Sequence, residues 1–417
     1  MLKITLLNFE LFIAKRIIAG KEHKSNISSP IIKIATIAIT LGIAIMLIAV
    51  SIAAGFQKKI SDKMTGFKGH VQIVNYDSNN SDITTAPISI NQDFYPKFKN
   101  ITGIKNVQVF ANIGGIIRTP TDFEAIVFKG ISSDYDFSFF KEYLLEGRLP
   151  NFEQPRNKEI LISQSIANRL GFKLNDTIQT LFSAAKSKLK YKMRKPIIVG
   201  IYNTGFEQFD KTMLIGDIRE VRQINRWKPD EIGGFEVLID DFSQLTQKGN
   251  EIYSTIGTTL NSYTIVENYP LIFEWIKLFD NNVWFIIAIM IVIAGINMIT
   301  ALLVLILERV QMIGILKALG SANWSVRKIF LYNASYLILK GLFWGNLIGI
   351  TLLLLQQNFK IITLDPATYS VATVPVHISL LAIILLNLGT LLLCFLMLII
   401  PSYIITKIQP SKSIKFA

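Results

Sequence analysis

Five basic side chains recur at every second position of SAAKSKLKYKMR, Ser183 to Arg194: Lys186, Lys188, Lys190, Lys192 and Arg194. A strand repeats its side-chain direction every two residues, so an extended chain here would put all five on one face. Ser187, Leu189, Tyr191 and Met193 would line the other. The chemistry on offer is electrostatic. Such a face discourages stray sheet pairing, or it docks a soluble partner with an acidic rim. Both readings stay open on the residues alone.

Bond-making chemistry finds fewer candidates. His23, His70 and His377 lie far apart in sequence, and the one cysteine is Cys394. A single thiol permits no intrachain disulfide and no Cys/His metal spacing. No G-x-S-x-G nucleophile elbow occurs. Nor does a G-x-x-x-x-G-K-[ST] phosphate loop, so the chain is not expected to hydrolyse ATP itself. The carboxylates follow no acid–base spacing. The expectation is no catalytic residue, no metal and no directly bound cofactor.

The elements that carry these residues are set by composition. The chain has 417 residues, 51% hydrophobic and 18% charged, which is apolar for a soluble protein. The excess sits in four blocks: Ile34 to Ala54, Val283 to Leu307, Ile329 to Leu355 and Ile378 to Ile400. Each reaches the length of a spanning helix, about 20 residues. They are continuous rather than alternating, which argues helices over barrel strands. The first run begins well into the chain and is too long for a signal-peptide core, so no cleavage is expected.

Lys and Arg cluster before the first block, between the second and third, and after the fourth. By the positive-inside rule those regions are cytoplasmic. The net charge of +13 is thus a topology signal, not a nucleic-acid footprint. The predicted layout is a cytoplasmic segment 1–33, span one 34–55, an extracytoplasmic domain 56–277 and span two 278–307. A cytoplasmic loop 308–328, span three 329–355, an outer loop 356–377, span four 378–400 and a cytoplasmic tail 401–417 complete it. The fold class is an α-helical membrane protein with four spans and a large α+β domain inserted between spans one and two. In that domain GHVQIVNY, VQVFANIGGIIRT, FEAIVFKGI, DTIQTLF, KPIIVGIY, FEVLID and YTIVE read as strands. EILISQSIANRLG reads as a strand and a helix stopping at Gly171. FSQLTQKGNEIYSTI reads as helical.

Two further features lie in the spans. Gly341, Gly345 and Gly349 form a small-residue ladder that lets helices approach closely. Lys340 is either near enough to the cytoplasmic surface to snorkel or a functional interior lysine.

The loop ERVQMIGILKALGSANWSVRKIF leaves the membrane and returns at once. Met312, Ile315, Leu316 and Leu319 share one helical face, and Gln311, Gly314 and Ala318 a small-residue face turned away from it. Gly320 is a natural stop, and Ser321 or Asn323 a candidate cap for the next helix. The small face could sit in a groove of a cytoplasmic protein, or the helix could lie at the headgroups.

RVQMIGILKALG, Arg309 to Gly320, resembles the signature loop of FtsX-like ABC-transporter permeases. The opening FIAKRIIAGKEHKSNISSPIIKIATIAITLGIAIMLIAVSIAAGFQKKI is similar to the start of the lipoprotein-releasing LolC/LolE branch. GHVQI, FKGIS, EGRLP, EILISQSIANRLGFKLNDTI and KPIIVGIYNTGFEQFDKTMLIG follow in family order, and PSYIITKIQPSKSIKF resembles its Pro-started tail. The resemblance implies a permease subunit that works with a second permease subunit, identical or paired. A separate LolD-like ATPase would bring ATP. It implies coupling contacts at Arg309, Gln311, Met312, Ile313, Gly314, Ile315, Lys317 and Ala318. It implies a lipoprotein substrate, and docking of a LolA-like periplasmic carrier through Lys186, Lys188, Leu189, Lys190, Tyr191 and Lys192. A lipid cavity would take Val50, Ala53, Ile286 and Ile289, in the inner membrane of a Gram-negative-type bacterium. Met312 stands where many relatives carry an acid, and the arm lacks the prolines of some relatives. Within the superfamily the alternative is a MacB-like export permease. Outside it, the alternative is an FtsX-like signal transmitter controlling a cell-wall hydrolase.

Overall fold

The computed structural model describes residues 9–19, 28–77, 86–153, 158–183 and 191–409. The chain divides into two units. One comprises residues 1–56, 276–362 and 374–417, the other residues 57–275 and 363–373.

The first unit is helical. Four helices that contribute to it are long and apolar enough to cross a bilayer: Ser28–Lys68, Pro270–Glu308, Asn323–Phe359 and Leu380–Ser402. A helix satisfies its backbone polar groups internally, as hydrocarbon requires. The first three outrun the apolar blocks that predict them, because helical spacing of buried residues continues past the apolar run. In the first, Ile60, Met64 and Phe67 are buried at i, i+4 and i+7.

The glycine ladder faces the first long helix. A Cβ would lie 2.6 Å from Ile39 Cγ2 at Gly341, 2.7 Å from Ile43 Cβ at Gly345 and 3.2 Å from Leu47 Cδ1 at Gly349. The ladder therefore packs helix on helix. The third and fourth long helices run antiparallel and are tied at two levels. Asn346 and Asn387 exchange amide hydrogen bonds of 2.6 and 2.9 Å. Arg327 donates to Ser402 Oγ at 3.0 Å and to Ile399 O at 3.3 Å. Gln356 closes the turn that follows. It accepts from Ile362 N at 2.9 Å and donates to the carbonyls of Ile362 and Val374, both at 3.1 Å.

The second unit is α+β. Its strands are β1 (Val71–Asn75), β2 (Ile88–Ser89), β3 (Ile104–Arg118), β4 (Phe123–Ile131), β5 (Leu144–Gly147), β6 (Glu159–Ser163), β7 (Gln179–Ser183), β8 (Tyr191–Arg194), β9 (Ile197–Tyr202), β10 (Met213–Asp217), β11 (Glu231–Ile232), β12 (Gly234–Ile239) and β13 (Leu260–Thr264). One sheet runs β13-β1-β12-β3-β4-β10-β6-β9-β5, with β7 on β3 and β8 on β7. β10 is parallel to β4 and β6 to β9. The length of β3 lets it hold β12, β4 and β7 at once.

YTIVE departs from expectation: β13 ends at Thr264 and a helix, Ile265–Asn268, begins. Thr264 and Glu267 form a capping box, with Glu267 Oε2 accepting from Thr264 N at 2.7 Å. That Thr-x-x-Glu spacing is a helix start. The outer loop also departs from a plain connector, because residues 363–373 pack as part of the α+β unit. Lys63 Nζ donates to Ser370 O there at 2.6 Å.

The centre of this unit is charged. Lys129 on β4 and Glu236 on β12 are both buried, with Lys129 Nζ 2.7 Å from each carboxylate oxygen. Lys129 also donates to the carbonyl of Phe67, in the last turn of the first long helix. Gln108 on β3 and Gln72 on β1 donate to the same carboxylate at 3.1 and 3.4 Å. Gly69 follows the helix with φ +71°, and a Cβ there would lie 2.8 Å from Glu236 Cβ. Only glycine suits both the left-handed turn and that approach.

Removing one partner of a buried pair leaves an uncompensated charge, whereas removing both need not. Lys129→Met alone should therefore cost about 3–5 kcal/mol, and Lys129→Met with Glu236→Leu should recover most of it. Thermal unfolding of the full chain in detergent reads both, and equal losses in the two variants would contradict the pairing.

Candidate functional site

The loop between the second and third long helices forms a helix, Val310–Ala318, that ends at Gly320 with φ +89°. Gly320 N donates to Lys317 O and Ser321 N to Leu316 O, both at 3.0 Å, closing the free carbonyls of the last turn. The next helix starts at Asn323, and its N-cap is Ala322, with no side-chain cap. Neither Ser321 nor Asn323 takes the predicted capping role.

The faces of this short helix differ from expectation. Ile313 and Gly314 are buried, Ile313 within the apolar core of the helical unit, and Met312 and Leu316 pack against that core. Gln311, Ile315, Ala318 and Leu319 are exposed. Gly314 is thus not offered to a partner, because the bulkier Ile313 beside it pulls that side inward. The free stripe is Gln311–Ile315–Ala318–Leu319, with Leu319 79% exposed. Arg309 is half-buried at the helix start.

Lys317 is committed within the chain. Its Nζ donates to the carbonyls of Ile405, Ile408 and Thr406 at 2.7, 3.0 and 3.3 Å. A cation at the end of the short helix Ile404–Lys407 also complements its dipole. Loss of water around the amine pushes its pKa down. Sequence reasoning placed Lys317 toward the ATPase; its geometry makes it an anchor for the tail.

In the basic arm, Lys186, Lys188, Leu189 and Lys190 lie outside the described residues. Tyr191–Arg194 is β8, paired antiparallel with β7 in the register Ser183↔Tyr191 to Thr180↔Arg194. The alternation is real there: Tyr191 and Met193 are 68% and 51% exposed, while Lys192 and Arg194 are half-buried. The basic face is occupied. Lys192 Nζ donates to the carbonyls of Gln223 and Ile224 at 3.0 and 2.9 Å, at the end of the helix Ile218–Asn225. Arg194 Nε donates to Glu220 Oε2 at 2.7 Å. Desolvation, then the charges of Arg226 and Arg194, push the Lys192 amine down. Within the chain Lys192 anchors β8 to the end of that helix. The open face is apolar, and Phe123, at the β3–β4 turn, is also exposed. The helix behind these contacts was missed from sequence. Asp217 and Glu220, N-cap and N3, were the signal.

The proposed cavity residues divide. Ala53 is buried, Val50 and Ile286 are half-buried, and Ile289 is 55% exposed. Ala53 therefore belongs to packing. The surfaces left open on these helices are two apolar stripes, Ile37–Leu41–Ile45 on the first and Phe285–Ile289–Val292–Ile296 on the second. His70 accepts from Ile239 N at 3.4 Å, and burial together with Lys105 lowers its pKa to about 4. Among the described residues no group of three His, Cys, Asp or Glu could hold a metal. The arrangement offers packing faces and anchored cations.

Replacing Lys317 by Met should free the tail carbonyls and cost about 1–3 kcal/mol. The readout is thermal unfolding in detergent, and an unchanged midpoint would mean the three contacts contribute nothing.

Comparison with known proteins bears on the whole chain. Residues 34–252 match the family described as MacB-like periplasmic core domain, and residues 284–410 that described as FtsX-like permease C-terminal. The lipoprotein-releasing system transmembrane protein LolE of Haemophilus influenzae is 20% identical, over 97% of this chain and 99% of that protein. LolC of Xylella fastidiosa strain Temecula1 is 19% identical, over 91% of this chain and 92% of its own length. The crystal structure of the periplasmic region of MacB from Actinobacillus actinomycetemcomitans shares 16% identity, with a TM-score of 0.33, over 48% of this chain and 91% of that one.

Proposed function

Because the chain belongs to the MacB-like periplasmic core domain family and carries the FtsX-like permease C-terminal region, we propose that it is the permease subunit of an ABC machine that extracts lipoproteins from the inner membrane. The observation that carries this reading is similarity to LolE along nearly the full length of both chains. Lysine and arginine at the chain ends and in the 308–328 loop support cytoplasmic termini. The α+β unit then lies in the periplasm, between the first two spans.

A separate LolD-like ATPase supplies ATP hydrolysis. It grips the Gln311–Ile315–Ala318–Leu319 stripe, the open face of the coupling helix. A second permease subunit completes the cavity, and the apolar stripes around Leu41 and Ile289 are the surfaces available to it and to acyl chains. Transport needs a cavity that binds acyl chains in one state and disfavours them in the other. The affinity change must offset desorption, about 0.8 kcal/mol per exposed CH₂. Closure driven by ATP, with hand-off to a LolA-like carrier, meets that requirement. The carrier meets the open side of the β7–β8 arm, where Tyr191 is exposed.

Depletion of the protein should leave mature lipoproteins in the inner membrane, read by separating the two membranes and counting lipoproteins in each. An unchanged distribution would remove this reading, and lost macrolide or peptide export would favour a MacB-like pump. Leu319→Glu should abolish ATPase association in co-purification while the permease still folds. Undiminished association would move the contact elsewhere.

A further inference from the structure

Residues 363–373 join the third and fourth long helices, yet they pack within the α+β unit, while Ile362 and Val374 on either side belong to the helical unit. The segment is closed on itself. Thr363 and Thr373 form an antiparallel bridge, and Leu364 N donates to Ala372 O at 2.9 Å. Between them lies a short helix, Pro366–Tyr369. Ser370 N donates to Pro366 O, and Thr368 Oγ1 to Asp365 Oδ2, both at 2.9 Å. A loop with its ends together and its own internal bonds behaves as a compact piece.

Three contacts seat this piece. Val371 is buried. Pro366 lies over Gly205, where a Cβ would stand 3.6 Å from the Pro366 Cβ. Lys63 Nζ, on the first long helix, donates to Ser370 O at 2.6 Å. Lys63 is only 3% exposed, and its ammonium stands 5.8 Å from the centre of the Tyr143 ring. The two acids near enough to act on its charge, Asp210 and Glu142, are bonded elsewhere. Glu142 accepts from Lys59 at 2.9 Å, and Asp210 from Thr204 Oγ1 at 2.8 Å and Thr204 N at 3.1 Å. Among the described residues, Ser370 O is the one acceptor hydrogen-bonded to the Lys63 ammonium.

A buried cation needs an acceptor. While the segment is seated, the Ser370 carbonyl is that acceptor; once it leaves, water can take the same place. The ammonium is served in both states, and the net gain from the protein contact is modest. Such a seat holds without being permanent. The helix that leads into it, Asn323–Phe359, starts just beyond the helix Val310–Ala318 and has 37 residues, about 55 Å of continuous rod.

We infer that residues 363–373 form a detachable strap, seated on the α+β unit by Lys63 and Val371 and drawn from that seat when the third long helix is displaced from its Val310–Ala318 end. Seated, the strap ties the α+β unit to the turn between the third and fourth long helices. Detached, it leaves the α+β unit free of that tie. This role rests on the reading of the chain as an ATPase-driven permease and not on its cargo.

The test is the reactivity of Val371→Cys toward a bulky maleimide, in the purified complex with its ATPase held in lipid nanodiscs. The native Cys394 is buried, so the unsubstituted chain serves as the blank. Labelling should be slow without nucleotide and about tenfold faster during ATP hydrolysis. Lys63→Met should raise the resting rate about tenfold, because the strap loses its charged donor, and leave little further response to ATP. Leu319→Glu should keep the slow resting rate and lose the response. Val199→Cys, in β9, is the control and should stay slow throughout. Equal rates at Val371→Cys and Val199→Cys would overturn the assignment, since the strap would then open only with the whole unit. A Val371→Cys rate indifferent to ATP or to Lys63→Met would overturn it as well. Lipoprotein release is not the readout, so the strap and the proposed cargo fail separately.

Discussion

The α+β unit is organised around one costly contact, the buried pair of Lys129 and Glu236. Two charges taken out of water cost several kcal/mol each unless their geometry is good. Here the surrounding strands supply it. Gln72, Gln108, Lys129 and Glu236 come from four neighbouring strands and converge on one face of the sheet. Side chains alternate along a strand, so a slip of one residue would turn a charge to the other face with nothing to meet it. A pair placed this way penalises wrong registers. It also reaches the end of the first long helix, whose Phe67 carbonyl would otherwise lack a partner.

The same use of lysine recurs. Lys192 serves the carbonyls at the end of the helix Ile218–Asn225, Lys317 those near the end of Ile404–Lys407, and Lys63 the carbonyl of Ser370. In each case an ammonium fills orphan acceptors where a helix or turn stops. The long apolar helices add side-chain amides to this, Asn346 with Asn387 and Gln356 across its turn, beside the Arg327 contact with Ser402. An amide has donor and acceptor in one group, so it closes a pair without adding charge.

Much of this was legible in the sequence. Continuous apolar runs located the four long helices, since a span needs nothing more than length and hydrocarbon. Runs rich in Val, Ile and Phe, bounded by Gly, Asn or Pro, located the long central strands, and Gly171 the end of its helix. What was not legible depended on distant partners. The basic alternation of the arm was read correctly as two-faced where it is described, but only the fold places Glu220 and the end of a helix against Lys192 and Arg194. Lys317 looked like a free cation because its three acceptors lie some ninety residues away. The helix Val310–Ala318 was turned because a glycine looks like an open face, whereas the neighbouring isoleucine decided what was buried. Local signals were also passed over. Thr264 with Glu267, and Asp217 with Glu220, both announce helices.

The glycine ladder has a consequence for how this chain can change over generations. Gly341 and Gly345 admit no methyl group against the first long helix as it stands, being met by Ile39 and Ile43, and at Gly349 a methyl group would need the Ala44–Leu47 stretch to shift by a few tenths of an ångström. A larger residue on one helix is acceptable only after a smaller one has appeared on the other. Substitutions at these positions are therefore order-dependent, and the two helices drift as a linked pair. The outward faces carry no such bond and are free to diverge wherever lipid is the neighbour.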